Sequence, residues 1–115
     1  MAVISHAYST DSGSAAHTVL WETITDSDTA QIWCPINTNG AICSIQFSGT
    51  WGGATVVLQQ SNDGATWFTA NDVLGTAVSA TADAFFELSI AAKYVRPSTS
   101  GGSSSDVDAT LILRG

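Results

Sequence analysis

Apolar and polar residues alternate with a period of two over short stretches. Nowhere do apolar residues recur at helical spacing for four turns. Because successive side chains of a strand point to opposite faces, this pattern specifies half-buried strands and rules out an amphipathic helical bundle. Ala41, Cys43, Ile45 and Phe47 alternate with Ile42, Ser44, Gln46 and Ser48, the cleanest two-faced segment in the chain. Val107, Ala109, Leu111 and Leu113 share one face of a last strand, and Ala30, Ile32, Cys34 and Ile36 share one face of an earlier one. Further strands are expected over 17–24, 55–60, 66–69, 84–90 and 93–96. The segment at 17–24 is partly apolar on both faces.

Turn chemistry divides these strands. Asn37–Thr38–Asn39–Gly40 and Ser61–Asn62–Asp63–Gly64 read as hairpin loops, with glycine free to take positive φ. Gly49–Thr50–Trp51–Gly52–Gly53 reads as a glycine-rich corner, and residues 98–105 as a flexible loop before the last strand. Helix is expected only as an odd turn near Ala91–Ala92. The expected fold is all-β, one antiparallel β-sandwich or jelly roll of about eight short strands. A length of 115 residues allows one core. Residues 1–14 are expected to form an N-terminal arm ending in a hinge at 9–14, and residues 15–115 the sandwich. No apolar run reaches the length of a transmembrane helix, and no secretory signal is visible.

Charge excludes several function classes. Only 11% of residues are charged, against roughly 25% in an ordinary domain. The ten acids outnumber the three cations, Lys93, Arg96 and Arg114, for a net charge of −7. Phosphate backbones and anionic membranes are held by clustered Lys and Arg, so direct binding to nucleic acid or to a membrane is not expected. Lys93, Arg96 and Arg114 are expected to pair within the chain, with Asp106 and Asp108, more readily than with acids of a partner.

Reactive groups are as sparse. No serine lies in a nucleophile-elbow pattern, so no catalytic residue is assigned, and His6 and His17 read as structural or solvated. Neither histidine stands at metal-ligand spacing from the cysteines. Asp26 and Asp28 lack the glycine and distal Glu of a calcium loop. No metal or cofactor is expected. In a hairpin with its loop at 37–40, Cys34 faces Cys43, which leaves two readings: two buried thiols, or a cross-strand disulfide.

Two features stand out as packing or contact elements. Ser61, Asp63, Gly64 and Trp67 form a tight turn in which Asp63 accepts backbone N–H bonds, Gly64 takes the left-handed position and Trp67 packs beneath. The segment resembles the Asp box of sialidase-like propellers, but it is one residue short and occurs once. Trp51, between glycines, is either a cap on one end of the sandwich or an interface anchor.

The stretch IQFSGTWGGATVVLQQSNDGATW at 45–67, followed by Tyr94–Val95–Arg96–Pro97 and the Ser100–Gly101–Gly102 loop, resembles small structural proteins of tailed bacteriophages. That resemblance implies a non-enzymatic virion protein of the capsid-decoration (cement) type, placed on the outer surface of the head. It further implies the major capsid protein as partner and self-association as a dimer or trimer. Val3, Ile4, Tyr8, Trp51, Gly52 and Gly53 are the residues expected at the interface. The competing readings are a head–tail or tail component of the same particle, and a carbohydrate-binding sandwich that stacks sugars on Trp51 and Trp67.

Overall fold

A computed structural model of the chain describes residues 3–4, 6–11, 16–25, 29–30, 32, 42–88 and 92–114. In chain order the strands are β1 (Val3–Ile4), β2 (His6–Asp11), β3 (Ala16–Ile24), β4 (Thr29–Ala30), β5 (Ile42–Thr50) and β6 (Thr55–Ser61). They continue with β7 (Phe68–Thr69), β8 (Ser79–Ala80), β9 (Ala84–Leu88), β10 (Tyr94–Ser100) and β11 (Asp106–Arg114). There is no helix among the described residues, and the all-β expectation holds.

Two antiparallel sheets carry the fold. One runs β2-β3-β11-β5-β9; in the other, β10 pairs one edge of β6 while β7 and β8 share its opposite edge. From β5 onward the chain repeatedly leaves one sheet for the other, at β5–β6, β8–β9, β9–β10 and β10–β11. That winding is a jelly roll, and it brings residues distant in sequence together in the ladders of β11 with β3 and β5, of β5 with β9 and of β10 with β6. A short parallel pair, β1 with β4, lies outside both sheets.

The alternation read from the sequence sorts correctly into inside and outside. Cys43, Ile45 and Phe47 of β5, Val107, Ala109 and Leu111 of β11, Val56 and Leu58 of β6 and Val95 of β10 are all buried between the sheets. Trp21 and Ile24 are both fully buried although three residues apart. A β-bulge explains this: Trp21 to Ile24 on β3 spans three residues where Ala109 to Val107 on β11 spans two. The extra residue restores the inward phase. This is why Ile24 falls out of phase with Val19 and Trp21 in the sequence, whereas Leu20 lies on the outer face.

Four expectations are corrected. Residues 6–11 are not an arm running into a hinge: β2 pairs with β3 from His6↔Trp21 to Asp11↔Ala16. Alternation is too weak in HAYSTD for the sequence to show it, because the strand is specified by its neighbour. The hairpin register that placed Cys34 opposite Cys43 is not the one β5 adopts. At Cys43 the two ladder neighbours are Leu113 of β11 and Leu88 of β9. Cys43 is buried, whereas Cys34 and the 37–40 loop lie outside the described residues. The strand expected at 66–69 begins only at Phe68, leaving Trp67 in the turn. The loop expected at 98–105 begins only after Ser100. Ala92 is in a bend, while Ala91, Trp33, Asp26 and Asp28 lie outside the described residues.

The glycine corner proves to be half of a lock. Gly52 accepts a backbone hydrogen bond from Ser103 at 3.0 Å, joining the β5–β6 crossing to the β10–β11 crossing. Gly52 and Gly102 sit at φ +54° and +76°. A side chain on Gly52 would strike the Ser103 carbonyl, and one on Gly102 would strike the Ala54 backbone. Two chain crossings this close require residues without a Cβ.

Candidate interaction surfaces

Trp51 leaves the sheet at the end of β5. It is half-buried, packs against the core and donates its indole Nε1–H to Asp83 Oδ1 at 2.8 Å. The same carboxylate oxygen accepts Gly49 N–H at 3.2 Å, so Asp83 ties the start of β9 to the end of β5. Trp51 therefore caps one end of the sandwich. Gly52 and Gly53 beside it are exposed at the surface. The backbones of Val3, Ile4 and Tyr8 lie in β1 and β2, and their side chains fall outside those described.

The Ser61–Trp67 turn has the geometry its residue types imply. Asp63 Oδ1 accepts N–H bonds from Thr66 at 2.8 Å and Ala65 at 2.9 Å, and the Ser61 hydroxyl at 2.9 Å. Ser61 Oγ in turn accepts Gly64 N–H at 2.9 Å, which satisfies a buried hydroxyl. The Thr66 and Ala65 amides and the Ser61 hydroxyl hold the Asp63 carboxyl down to a pKa of about 2. Gly64 takes φ +76°. The turn is also fastened to the residue just before β10: Asn62 Oδ1 accepts Lys93 N–H at 3.0 Å.

Two of the cations meet aromatic rings. The Arg96 guanidinium lies 4.1 Å from the centre of the Trp67 ring and donates to Gln59 Oε1 at 3.0 Å, while Lys93 Nζ lies 5.1 Å from the Tyr94 ring centre. Burial pushes the Arg96 pKa down, and the stacked, hydrogen-bonded position still suits a protonated guanidinium. One face of Trp67 is thus taken by Arg96, and the polar edge of Trp51 by Asp83. Both tryptophans expected as sugar platforms are already engaged by side chains of the same chain.

The outer face of the five-stranded sheet mixes small polar and apolar residues with a few acids, Glu87 and Asp108 among them. One row across it reads Ala7, Leu20, Thr110, Gln46 and Phe85, and the next reads Thr18, Ile112, Ser44 and Glu87. Among the described side chains of this face there is no Lys or Arg.

At the β9 edge of that face lies a feature the sequence reading passed over. Asn71 to Ala77 form a tight hairpin in which Asp72 Oδ1 accepts the N–H groups of Leu74 and Thr76, both at 2.9 Å. Asp72 N–H bonds Thr76 O at 2.8 Å, Gly75 N–H bonds Asp72 O at 3.0 Å, and Gly75 takes φ +86°. Val73 N–H bonds Glu87 O at 3.0 Å, seating the hairpin on the edge of β9. This ordered turn holds Val73 at 53% and Leu74 at 86% exposure, next to Phe85 at 61%. These residues line a depression of about 280 Å³ with Asp72, Phe86 and Glu87. A second depression, beside the Ser61 turn, is lined by polar groups and the exposed Phe68. The available signal was two consecutive aliphatics, Val73–Leu74, between the turn formers Asn71–Asp72 and Gly75, where turn tips are ordinarily polar.

Among the described residues no group of His, Cys, Asp and Glu is arranged to hold a metal ion. Among the same residues no helix is long and apolar enough to cross a membrane.

No protein-family model matches the chain, and no curated protein matches it. Among solved structures, the SPBc2 prophage-derived protein YomS is similar with a TM-score of 0.66 at 8% identity, over 87% of this chain and 95% of that one. A Neisseria meningitidis protein gives a TM-score of 0.43 at 5% identity, over 96% of this chain and 83% of that one. Bacillus endospore appendage pili give 0.38 at 16% identity, over 95% and 88%. At these identities the likeness to the prophage-derived protein is one of fold.

Proposed function

We propose that the protein is a structural component of a phage particle that decorates the outside of the head and bridges neighbouring major capsid subunits. The observation that carries this reading is the five-stranded outer face: rich in Thr, Ser and Gln, bearing Leu20, Ile112 and Phe85, with a few acids such as Glu87 and no Lys or Arg among its described side chains. Sparse charge and interspersed apolar side chains suit a protein contact, in which the neutral hydroxyls and amides exchange water for hydrogen-bond partners on the other chain. The fold shared with a prophage-derived protein supports the same reading, as does the resemblance to tailed-phage structural proteins.

A rigid sandwich on a shell stabilises it by linkage: a protein that binds the closed shell and not its dispersed subunits shifts the equilibrium towards the shell. The jelly roll, locked at its crossings by Gly52 and Ser103, supplies such rigidity. Self-association as a dimer or trimer would let each assembly span several capsid subunits about a local symmetry axis. A net charge of −7 keeps free copies apart and away from the genome.

The test adds purified protein to phage heads assembled without it. Saturable binding in hundreds of copies per head and a raised disruption temperature are expected. No binding, or binding without stabilisation, overturns the reading. A copy number equal to the small rotational symmetry of a tail would assign the protein to the neck or tail instead.

A further inference from the structure

We propose that Val73, Leu74 and Phe85 form a docking surface for a different protein chain, one that presents an apolar cleft bordered by Lys or Arg. Resting on the decoration reading, this names the edge of the sandwich through which the shell is held.

Three observations converge on it. First, the apolar side chains are grouped. Val73, Leu74 and Phe85 line one depression with half-buried Phe86, whose ring also packs edge-on against Phe47 of the core. Single exposed aliphatics are ordinary, but a cluster of them on a small soluble domain marks a contact site. Second, the cluster is held in place. Leu74 sits in a turn closed by Asp72 and seated on Glu87, so little backbone ordering remains to be lost on binding. Nothing inside the chain is gained by displaying Leu74 at 86% exposure.

Third, the charge around the cluster selects the partner. Asp72 and Glu87 line the depression itself, and Asp83 lines the adjoining one with Phe85. No Lys or Arg lines either among the described residues. A second copy docked face to face through this patch would set acids against acids. Neither Arg96 nor Lys93 is placed to relieve that, since they lie over Trp67 and Tyr94. A cleft with a basic border is complementary, and its attraction weakens as salt screens the rim.

The experiment compares wild type with Leu74→Ser, Phe85→Ser and Glu87→Lys. Each is titrated against heads assembled without the protein and against an immobilised amphipathic peptide of alternating leucine and lysine. Thermal melting checks that each variant is folded, and sedimentation velocity reports its oligomeric state. Leu74→Ser and Phe85→Ser are expected to weaken binding roughly tenfold or more, as loss of a central apolar anchor does. Glu87→Lys should weaken binding at low salt and lose its effect at high salt. Heads bound equally by wild type and the serine variants overturn this surface and leave decoration standing. Heads bound by no protein, with the peptide held by wild type and released by the variants, overturn decoration and leave the surface standing. A peptide held equally by all, or an oligomer that Leu74→Ser dissociates, overturns the proposal, the latter in favour of a second copy.

Discussion

The turns at Ser61–Trp67 and Asn71–Ala77 use the same backbone chemistry for opposite ends. In each an aspartate, Asp63 or Asp72, accepts two downstream N–H groups, and a glycine, Gly64 or Gly75, takes φ near +80°. The first lays half-buried Trp67 against Arg96 on the outer face of β10 and fastens itself to Lys93, just before that strand, through Asn62. The second turns Val73 and Leu74 away from the core. Local hydrogen bonding decides that a turn forms; where its side chains go depends on the sheet edge on which it sits. A turn that stabilises the fold and a turn that presents a contact site are therefore indistinguishable in their polar residues.

The largest expected effect breaks this comparison at its apolar residues. Trp67→Ala should destabilise by about 2–3 kcal/mol, somewhat below a fully buried aromatic, through lost packing and lost stacking with Arg96. Leu74→Ala should stay within about 0.5 kcal/mol, as exposed substitutions do. Chemical denaturation of the two variants checks the contrast. Equal losses would mean that both turns serve the fold.

Gly64→Ala and Gly75→Ala test the likeness rather than the difference. An added Cβ meets only ordinary contact at Gly64, with Tyr94 Cε2 at 3.6 Å, and open space at Gly75. Each variant should therefore lose roughly 1–2 kcal/mol from backbone strain alone, and by similar amounts. A much larger loss at one glycine in denaturant titration would show that the turns are not equivalent.

The smallest effect concerns acid. The folded pKa of Asp63 is lowered from 3.8 to about 2, so its stabilising contribution is fully present above about pH 4 and lost as pH falls towards 2. Asp63→Asn should melt several degrees below wild type at neutral pH, and the gap should narrow across that window. A gap independent of pH between 5 and 2 would show that the Asp63 charge is not what holds the turn.

Much of the sandwich could be read from residues alone. The alternations at Cys43–Phe47 and Val107–Leu111 carry a period that only a half-buried strand satisfies, and Asp63–Gly64 carries its turn in its own atoms. What could not be read is pairing. The expected hairpin gave β5 a neighbour at residues 30–36, while the fold gives it β11 and β9, from the far end of the chain. Period-two alternation says which face is inward and nothing about which strand lies alongside. β2 was missed because HAYSTD has almost no alternation and forms by completing the ladder of β3.

Sequence by itself determined the all-β class, the inward face of the central strands, the scarcity of charge and the chemistry of the Ser61 turn. These are properties of one residue and its near neighbours. Tertiary structure decided that Trp51 would cap an end through Asp83, that Gly52 would meet Ser103, and that Leu74 would stand beside Phe85. Those depend on how the jelly roll brings distant segments together, and no local propensity encodes a contact between residues that only the winding makes neighbours.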